Sequence, residues 1–347
     1  MGSSYHYKRT LENEKLLANR KNLLAFGIVL ALCVISLGAY VRLSDAGLGC
    51  PDWPGCYGKL IGVPGSHAEV NEAQAAFPHA PVETAKAWKE MIHRYLAGFL
   101  GLVIAALAAS AIWPRRQAEV APQIFLVGLV VVQAALGMLT VTWLLKPVIV
   151  TMHLLGGIVI LATLIGMRAN ASQARVSIAT SAMKKAAWFV SALILIQIAL
   201  GGWTSANYAA MACTDYPLCQ GQWMPADIDW SHAFVFNREL GQTSDGQMLS
   251  LQTLTAIHWT HRCFALLVLA ACVTFAIRLK QHDDTRTLGR LLLIAVVGQV
   301  LLGISNVWLQ WPLGLAVLHN TGAAALFGVA VFTAVQLQRA KTSKATA

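Results

Sequence analysis

Eight apolar runs, each long enough to cross a bilayer as a helix, decide most of what this 347-residue chain can become. They occupy 23–41, 90–112, 121–143, 148–167, 187–206, 251–277, 291–309 and 313–336. About 20 apolar residues cover the roughly 30 Å hydrocarbon core as α-helix. The runs are continuous, whereas a transmembrane β-barrel needs short alternating segments. Charged residues make up 12% of the chain, against roughly a quarter in soluble domains, so a large soluble enzyme is excluded as well. The segment before the first run carries Lys8, Arg9, Lys15, Arg20 and Lys21. It is too long for an ordinary signal peptide and no clean small-residue cleavage site follows, so the first run reads as a retained helix. The fold class expected is an all-α polytopic membrane protein with eight transmembrane helices arranged as two pseudo-symmetric four-helix bundles.

Basic residues orient the spans. With both termini cytoplasmic, the inner segments hold eighteen of the 26 Lys and Arg, including Arg115, Arg116, the group from Arg168 to Lys185, that from Arg278 to Arg290, and Arg339 to Lys344. This is the bias that sets membrane topology. The net charge of +10 is therefore a topology signal, and no reading module for nucleic acid accompanies it. The two large outer loops, 42–89 and 207–250, each carry a cysteine pair early on: Cys50 with Cys56, and Cys213 with Cys219. Facing an oxidising compartment, these read as two local disulfides; thiol exchange is the alternative, although the spacing is not the compact redox type. Cys33, Cys263 and Cys272 fall within spans and read as apolar packing residues. Trp88, Trp143, Trp203, Trp308 and Trp311 read as an outer aromatic belt. Trp223, Trp230, Phe234 and Phe236 read as an interfacial cover over a site, and His67 and His79 as surface residues.

The chain also repeats itself. LGAYVRLSDAGLGCPDWPGC at 37–56 aligns with LGGWTSANYAAMACTDYPLC at 200–219, an offset of 163. Gln133 and Gly137 align with Gln299 and Gly303 at 166, His93-Arg94 with His261-Arg262 at 168, and His153 with His319 at 166. The organisation expected is a segment 1–22, a first half 23–170, a linker 171–186, a second half 187–338 and a tail 339–347. Both halves begin inside, so the repeats are parallel, related by an axis along the membrane normal.

Ionisable residues within spans are functional by default. The topology puts His93, His153, His261 and His319 at similar depth toward the outer face, with His93 and His261 near the ends of their spans. Alternate helices of a four-helix unit face each other, so His93 with His153, and His261 with His319, read as axial ligand pairs for two haem irons. Hydrogen-bonded structural histidines are the bland reading, and a compact zinc site lacks the ligand set. Arg94 and Arg262 suit haem propionates, with snorkelling or structural ion pairs as the competing account. Gly156, Gly157, Gly201, Gly202 and Gly303 suit either a flat macrocycle or close helix packing. The halves part at one place: Glu90 lies three residues before His93, and His258 stands at that position before His261. Glu90 reads either as a proton-handling group or as a helix-start carboxylate held by the dipole.

The segments LSDAGLGCPDWPGC, EMIHRYLAG, TMHLLGG, HWTHR and VLHNTGAA together resemble the haem A synthase family over nearly the whole chain. That resemblance implies eight helices in two four-helix halves and conversion of haem O to haem A, in which the C8 methyl group becomes a formyl group by two rounds of oxygenation. It implies a substrate site on His93 and His153 with Glu90 catalytic, and a haem b cofactor on His261 and His319. It also implies that the first cysteine pair has a functional role in part of the family. The expected partners are haem O, molecular oxygen and an unidentified electron donor, with haem O synthase and a second copy of the chain as further candidates. The expected location is the bacterial inner membrane, with the haem sites toward the periplasm. The alternative function is a bis-histidine haem b electron-transfer protein, whose haems ordinarily straddle the bilayer.

Overall fold

The computed structural model describes residues 2–112, 117–171 and 176–343, with side chains described over 19–111, 120–171 and 176–342. Arg115, Arg116, Arg175 and Lys344, used above for topology, lie outside the described residues, as do the side chains of Lys8, Arg9 and Lys15. The long helices are α1 (Gly2–Leu43), α3 (Thr84–Ile112), α4 (Gln117–Thr142), α5 (Pro147–Asn170), α6 (Ser181–Ala206), α7 (Leu251–Lys280), α8 (Asp283–Trp308) and α9 (Leu313–Arg339). Each contains one candidate span. A short helix, α2 (His67–Ala76), sits in the first large loop, and two short strands, β1 (Ile178–Thr180) and β2 (Lys341–Ser343), pair in parallel.

Local chemistry sets the helix ends. Ser250 and Thr180 cap α7 and α6 by accepting from the N–H groups of Thr253 and Met183, satisfying donors that a helix start leaves open. Ser66 and Glu69 form a reciprocal capping box on α2. Pro147 opens α5, where its missing N–H costs nothing. The spans are longer than the apolar runs because amphipathic turns continue the helix beyond them. This matters most for α3, which starts at Thr84 rather than at Glu90. Glu90 therefore sits within the second turn, and the helix-start reading of its carboxylate is incorrect. His93 likewise sits in the third turn of α3.

Helix neighbours in one half have counterparts in the other. Helix α1 packs on α3 as α6 packs on α7, α3 on α4 as α7 on α8, and α4 on α5 as α8 on α9. The inner helices α1, α5, α6 and α9 join the halves through α1–α9, α5–α6 and α5–α9 contacts. One continuous apolar core, with Leu107, Leu161, Leu164, Ile194 and Leu292 fully buried, runs through both halves. Outward-facing residues such as Val131 and Ile294 are 65% and 70% exposed, as a lipid-facing surface requires.

At the end bearing the large loops, Arg42 ties the halves together. Its Nη2 donates to the Ser205 carbonyl at 2.9 Å, and its guanidinium lies 4.1 Å from the centre of the Tyr208 ring. The Tyr208 hydroxyl donates to Asp45 at 2.9 Å. Ser205 and Tyr208 are the repeat counterparts of Arg42 and Asp45, so equivalent positions of the two halves meet here. At the opposite end the β1–β2 ribbon joins the linker between the halves to the tail, and Lys184 donates to the Ala340 carbonyl at 2.8 Å.

Three expectations about individual residues need correction. Cys33 and Cys263 are exposed on the helix surface, and only Cys272 packs inside. Trp203 is 4% exposed and donates from Nε1 to the Ala233 carbonyl, so it is a buried anchor, unlike the exposed Trp88, Trp143 and Trp308. In the second loop Phe234 packs with the Trp203 cluster and the exposed Phe236 ring lies 5.3 Å from that of Trp203, while Trp223 and Trp230 are exposed. Removal of the Arg42 guanidinium strips a charged donor from a half-to-half contact, and such bonds contribute about 1.5–3 kcal/mol. Arg42→Ala is expected to lower the thermal unfolding midpoint in detergent, with Arg42→Lys recovering part of the loss.

Candidate functional site

Each of the four histidines sits six to ten residues into its helix from the loop-bearing end, or about 9–15 Å at the α-helical rise. Each also faces a glycine on a neighbouring helix. A Cβ built on Gly38 would lie 2.9 Å from Nε2 of His93, and Cβ atoms on Gly137, Gly201 and Gly303 would lie 3.2, 3.0 and 3.0 Å from Cε1 of His153, His261 and His319. The backbone notch is what admits an imidazole between packed helices. Gly201 and Gly303 thus serve the histidines directly. Gly202 instead admits Leu154 and Thr151 across the boundary between the halves, and Gly156 accommodates the Gln133 amide.

The first pair is within contact range. The His93 and His153 ring centres are 6.5 Å apart with the planes at 74°. Metal–imidazole bonds of about 2 Å on either side place two axial ring centres roughly 6 Å apart, so this pair fits one iron between them. Among the described residues no three His, Cys, Asp or Glu side chains converge as a metal-ion site.

Sequence reasoning missed the glutamines' role. Gln133 donates from Nε2 to the His153 carbonyl at 2.6 Å, Gln197 to that of His261 at 3.0 Å and Gln299 to that of His319 at 2.9 Å. The same nitrogen lies 3.0 Å from His261 Nδ1 and 3.3 Å from His319 Nδ1. All three Oε1 atoms are buried without a partner. The glutamine atom beside the His261 and His319 rings is the amide nitrogen, and Nδ1 of His153 is buried without a partner. The signal was Gln-x-x-x-Gly, which occurs at 133–137, 197–201 and 299–303 and places both residues on one helix face.

The arginine after each loop-proximal histidine clamps a disulfide loop. Arg94 donates from Nη1 to the carbonyls of Asp52 (3.0 Å), Pro54 (3.2 Å) and Gly55, and from Nη2 to Glu90 Oε1 at 2.5 Å. Arg262 donates to the carbonyls of Asp215 (2.8 Å), Leu218 (2.9 Å) and Cys213 (2.8 Å). Asp52 and Asp215, Gly55 and Leu218 are repeat counterparts, so the two clamps are built alike. Cys50–Cys56 and Cys213–Cys219 are both disulfide-bonded. Inside each loop an aspartate accepts two backbone N–H groups: Asp52 from Tyr57 (2.6 Å) and Gly58 (2.8 Å), Asp215 from Gln220 (2.7 Å) and Gly221 (2.8 Å). Burial works to raise the Asp215 carboxyl, but the Gly221 and Gln220 N–H groups and the Arg262 charge carry it below its ordinary value. The Cys-x-Asp-aromatic-Pro-x-Cys pattern common to both segments was the signal for these aspartates.

Glu90 and His258 occupy the corresponding place beside the clamps and do different things. Glu90, 5% exposed, accepts from the Cys50 N–H at 3.0 Å as well as from Arg94. His258, 6% exposed, accepts at Nε2 from Arg262 Nε at 3.2 Å, and its Nδ1 is buried without a partner. The second loop also reaches over the first half: Glu239 pairs with Lys146 at 3.0 Å, and the Trp203 cluster packs on Val148. His67 and His79 are exposed, away from this arrangement.

Comparison with known proteins gives concordant matches. The COX15-CtaA family model, described as cytochrome oxidase assembly protein, matches residues 21–331. A heme A synthase of Shewanella oneidensis is 42% identical over 309 residues, covering 88% of this chain and 92% of that protein. Heme A synthases of Shouchella clausii and Mesorhizobium japonicum are 27% and 26% identical, covering 75% and 87% of this chain and 83% and 86% of theirs.

A Cβ at Gly303 displaces the His319 ring, whereas one at Gly298 meets nothing within 4 Å. Gly303→Ala is therefore expected to weaken haem retention about tenfold, at the scale of a disturbed ligand support, and Gly298→Ala to leave it unchanged. Haem content per chain after purification measures both.

Proposed function

We infer the function from one premise: the chain belongs to the COX15-CtaA family of cytochrome oxidase assembly proteins. It is a multi-pass membrane enzyme of haem A synthesis for cytochrome oxidase. The finer reading is that the C8 methyl group of haem O is oxidised to a formyl group through an alcohol and a hydrated aldehyde that loses water, with molecular oxygen as oxidant and an external electron donor. The haem groups supply the redox chemistry; the chain supplies their placement and the proton path.

The first half, 23–170, takes the substrate haem O on His93 and His153, and the second half, 187–338, keeps a haem b on His261 and His319. The observation that carries this division is the contrast at one position: a buried carboxylate, Glu90, one turn from His93, against an imidazole, His258, one turn from His261. A carboxylate held by a backbone N–H and an arginine is placed to take or return a proton at the substrate edge. Arg94 and Arg262, which hold the disulfide loops, would offer the haem propionates their charge partners. The basic residues put the β1–β2 end in the cytoplasm, leaving the loops and histidines toward the periplasm, where disulfides persist. Haem O synthase is a candidate neighbour, because the substrate carries a long apolar tail that is best handed over within the membrane. A transmembrane electron carrier would set its haems at both faces, and four histidines sharing one end speak against it.

Purified protein supplied with haem O, reductant and oxygen is expected to yield haem A in the extracted pigment; haem O recovered unchanged with both sites loaded would overturn the assignment. Glu90→Gln is expected to slow haem A formation about 100-fold, the lower range of general acid–base effects, with haem content unchanged. A normal rate in that variant would remove Glu90 from the chemistry. His261→Ala and His319→Ala are expected to lose the resident haem b, read by pigment extraction.

A further inference from the structure

The two disulfide hairpins end in the same way. A bridge between Cys56 and Lys59, and its counterpart between Cys219 and Gln222, closes each hairpin. Directly after it the chain turns two large apolar side chains outward: Leu60 and Ile61, 74% and 85% exposed, and Trp223 and Met224, 72% and 68% exposed. The pairs are equivalent positions of the repeat, at the same offset of 163 that relates the cysteines. Single exposed apolar residues are ordinary on a protein surface, but a pair at one place in both halves calls for something to cover it.

The first hairpin shows which surface it faces. Trp88, Ile92, Tyr95, Phe99 and Leu102 are exposed along α3 at spacings of four and three. That is the spacing of one helix face, so they form the lipid-facing stripe of α3. The Gly62 N–H, next to Ile61, donates to the Tyr95 hydroxyl at 2.8 Å. Arg94, the residue before Tyr95, holds the Asp52 and Pro54 carbonyls of the same loop. The hairpin thus folds down along the outer flank of α3 instead of standing above its first turn. Helix length gives the depth. About 20 residues of α-helix cross the hydrocarbon, and counted back from Ile112, the last residue of α3, they reach His93. Tyr95 therefore lies at the hydrocarbon boundary, with the Leu60–Ile61 tip beside it. The charge of Lys59, just before the tip, is matched by Glu69 of α2.

We propose that both hairpins dip into the lipid leaflet at the loop-bearing end, with Leu60–Ile61 and Trp223–Met224 as their membrane-inserted tips. Insertion takes out of water apolar surface that the protein itself leaves uncovered, and a tryptophan suits the boundary layer. The repeat places the second tip as it places the first: Cys263, the counterpart of Tyr95, is exposed on α7. Each tip belongs to a loop clamped by Arg94 or Arg262, so the bilayer and the arginine hold the same loop from two sides.

The test uses full-length protein in vesicles of phosphatidylethanolamine and phosphatidylglycerol, with an alkyl diazirine side chain placed at one position at a time. Positions 61 and 224 report the tips. Ile294, on the outward face of α8, reports lipid, and Asp245, exposed in the second loop, reports water. After irradiation, mass spectrometry is expected to show phospholipid adducts at 61 and 224 in yields like that at 294, and water adducts alone at 245. Water adducts alone at 61 and 224 would overturn the proposal. A crosslinked pair of chains would overturn it too, by making the tips a contact between copies, and lipid adducts at only one of the two positions would overturn the shared arrangement.

Discussion

An imidazole ring cannot enter the space between two closely packed membrane helices unless one helix gives up its side chain there. The four glycines opposite His93, His153, His261 and His319 meet that condition, and much of the molecule follows from them. Helices brought this close have to satisfy their polar groups locally, because the hydrocarbon offers no alternative partner. The glutamines do so by donating across the helix pair to a histidine carbonyl. The depth of the histidines then fixes the depth of the arginines that follow two of them, and hence the place where the loops can be clamped.

Each clamp gathers several loop carbonyls onto one guanidinium, which has the donors in a fixed fork to hold them. The loop geometry is thereby tied to the helix that carries His93 or His261, and a disulfide and an aspartate turn stiffen what the arginine holds. Within this shared frame the halves diverge where Glu90 and His258 stand. The two clamps are built alike, and the residue beside each differs: a carboxylate on Arg94 and an imidazole on Arg262. The second loop, seated by Trp203 and the Lys146–Glu239 pair, joins the sites into a single unit at that end.

Much of this was legible beforehand. Apolar runs found all eight helices, and the repeat offsets found the histidines, the Arg94 and Arg262 positions and both cysteine pairs. Helix boundaries were less legible, since polar turns extend α3 back to Thr84; that is why Glu90 was open to reading as a helix-start group. Trp203 was misread because tryptophan composition marks an interface without saying which way a ring faces. The loop carbonyls that Arg94 and Arg262 hold were not legible, because no side-chain pattern announces a backbone partner. Gln197 escaped because its repeat counterpart is Val34, so the comparison that revealed Gln133 and Gln299 was blind to it.

The pairing of four histidines into two axial sites is tested most directly by low-temperature electron paramagnetic resonance of the oxidised full-length protein with haem O and haem b bound, beside its iron-to-protein ratio. Two irons per chain are expected, with two distinguishable low-spin signals of bis-imidazole type, one abolished by His319→Ala and the other by His153→Ala. A single haem per chain, or one signal that both substitutions remove together, would contradict the two-site arrangement.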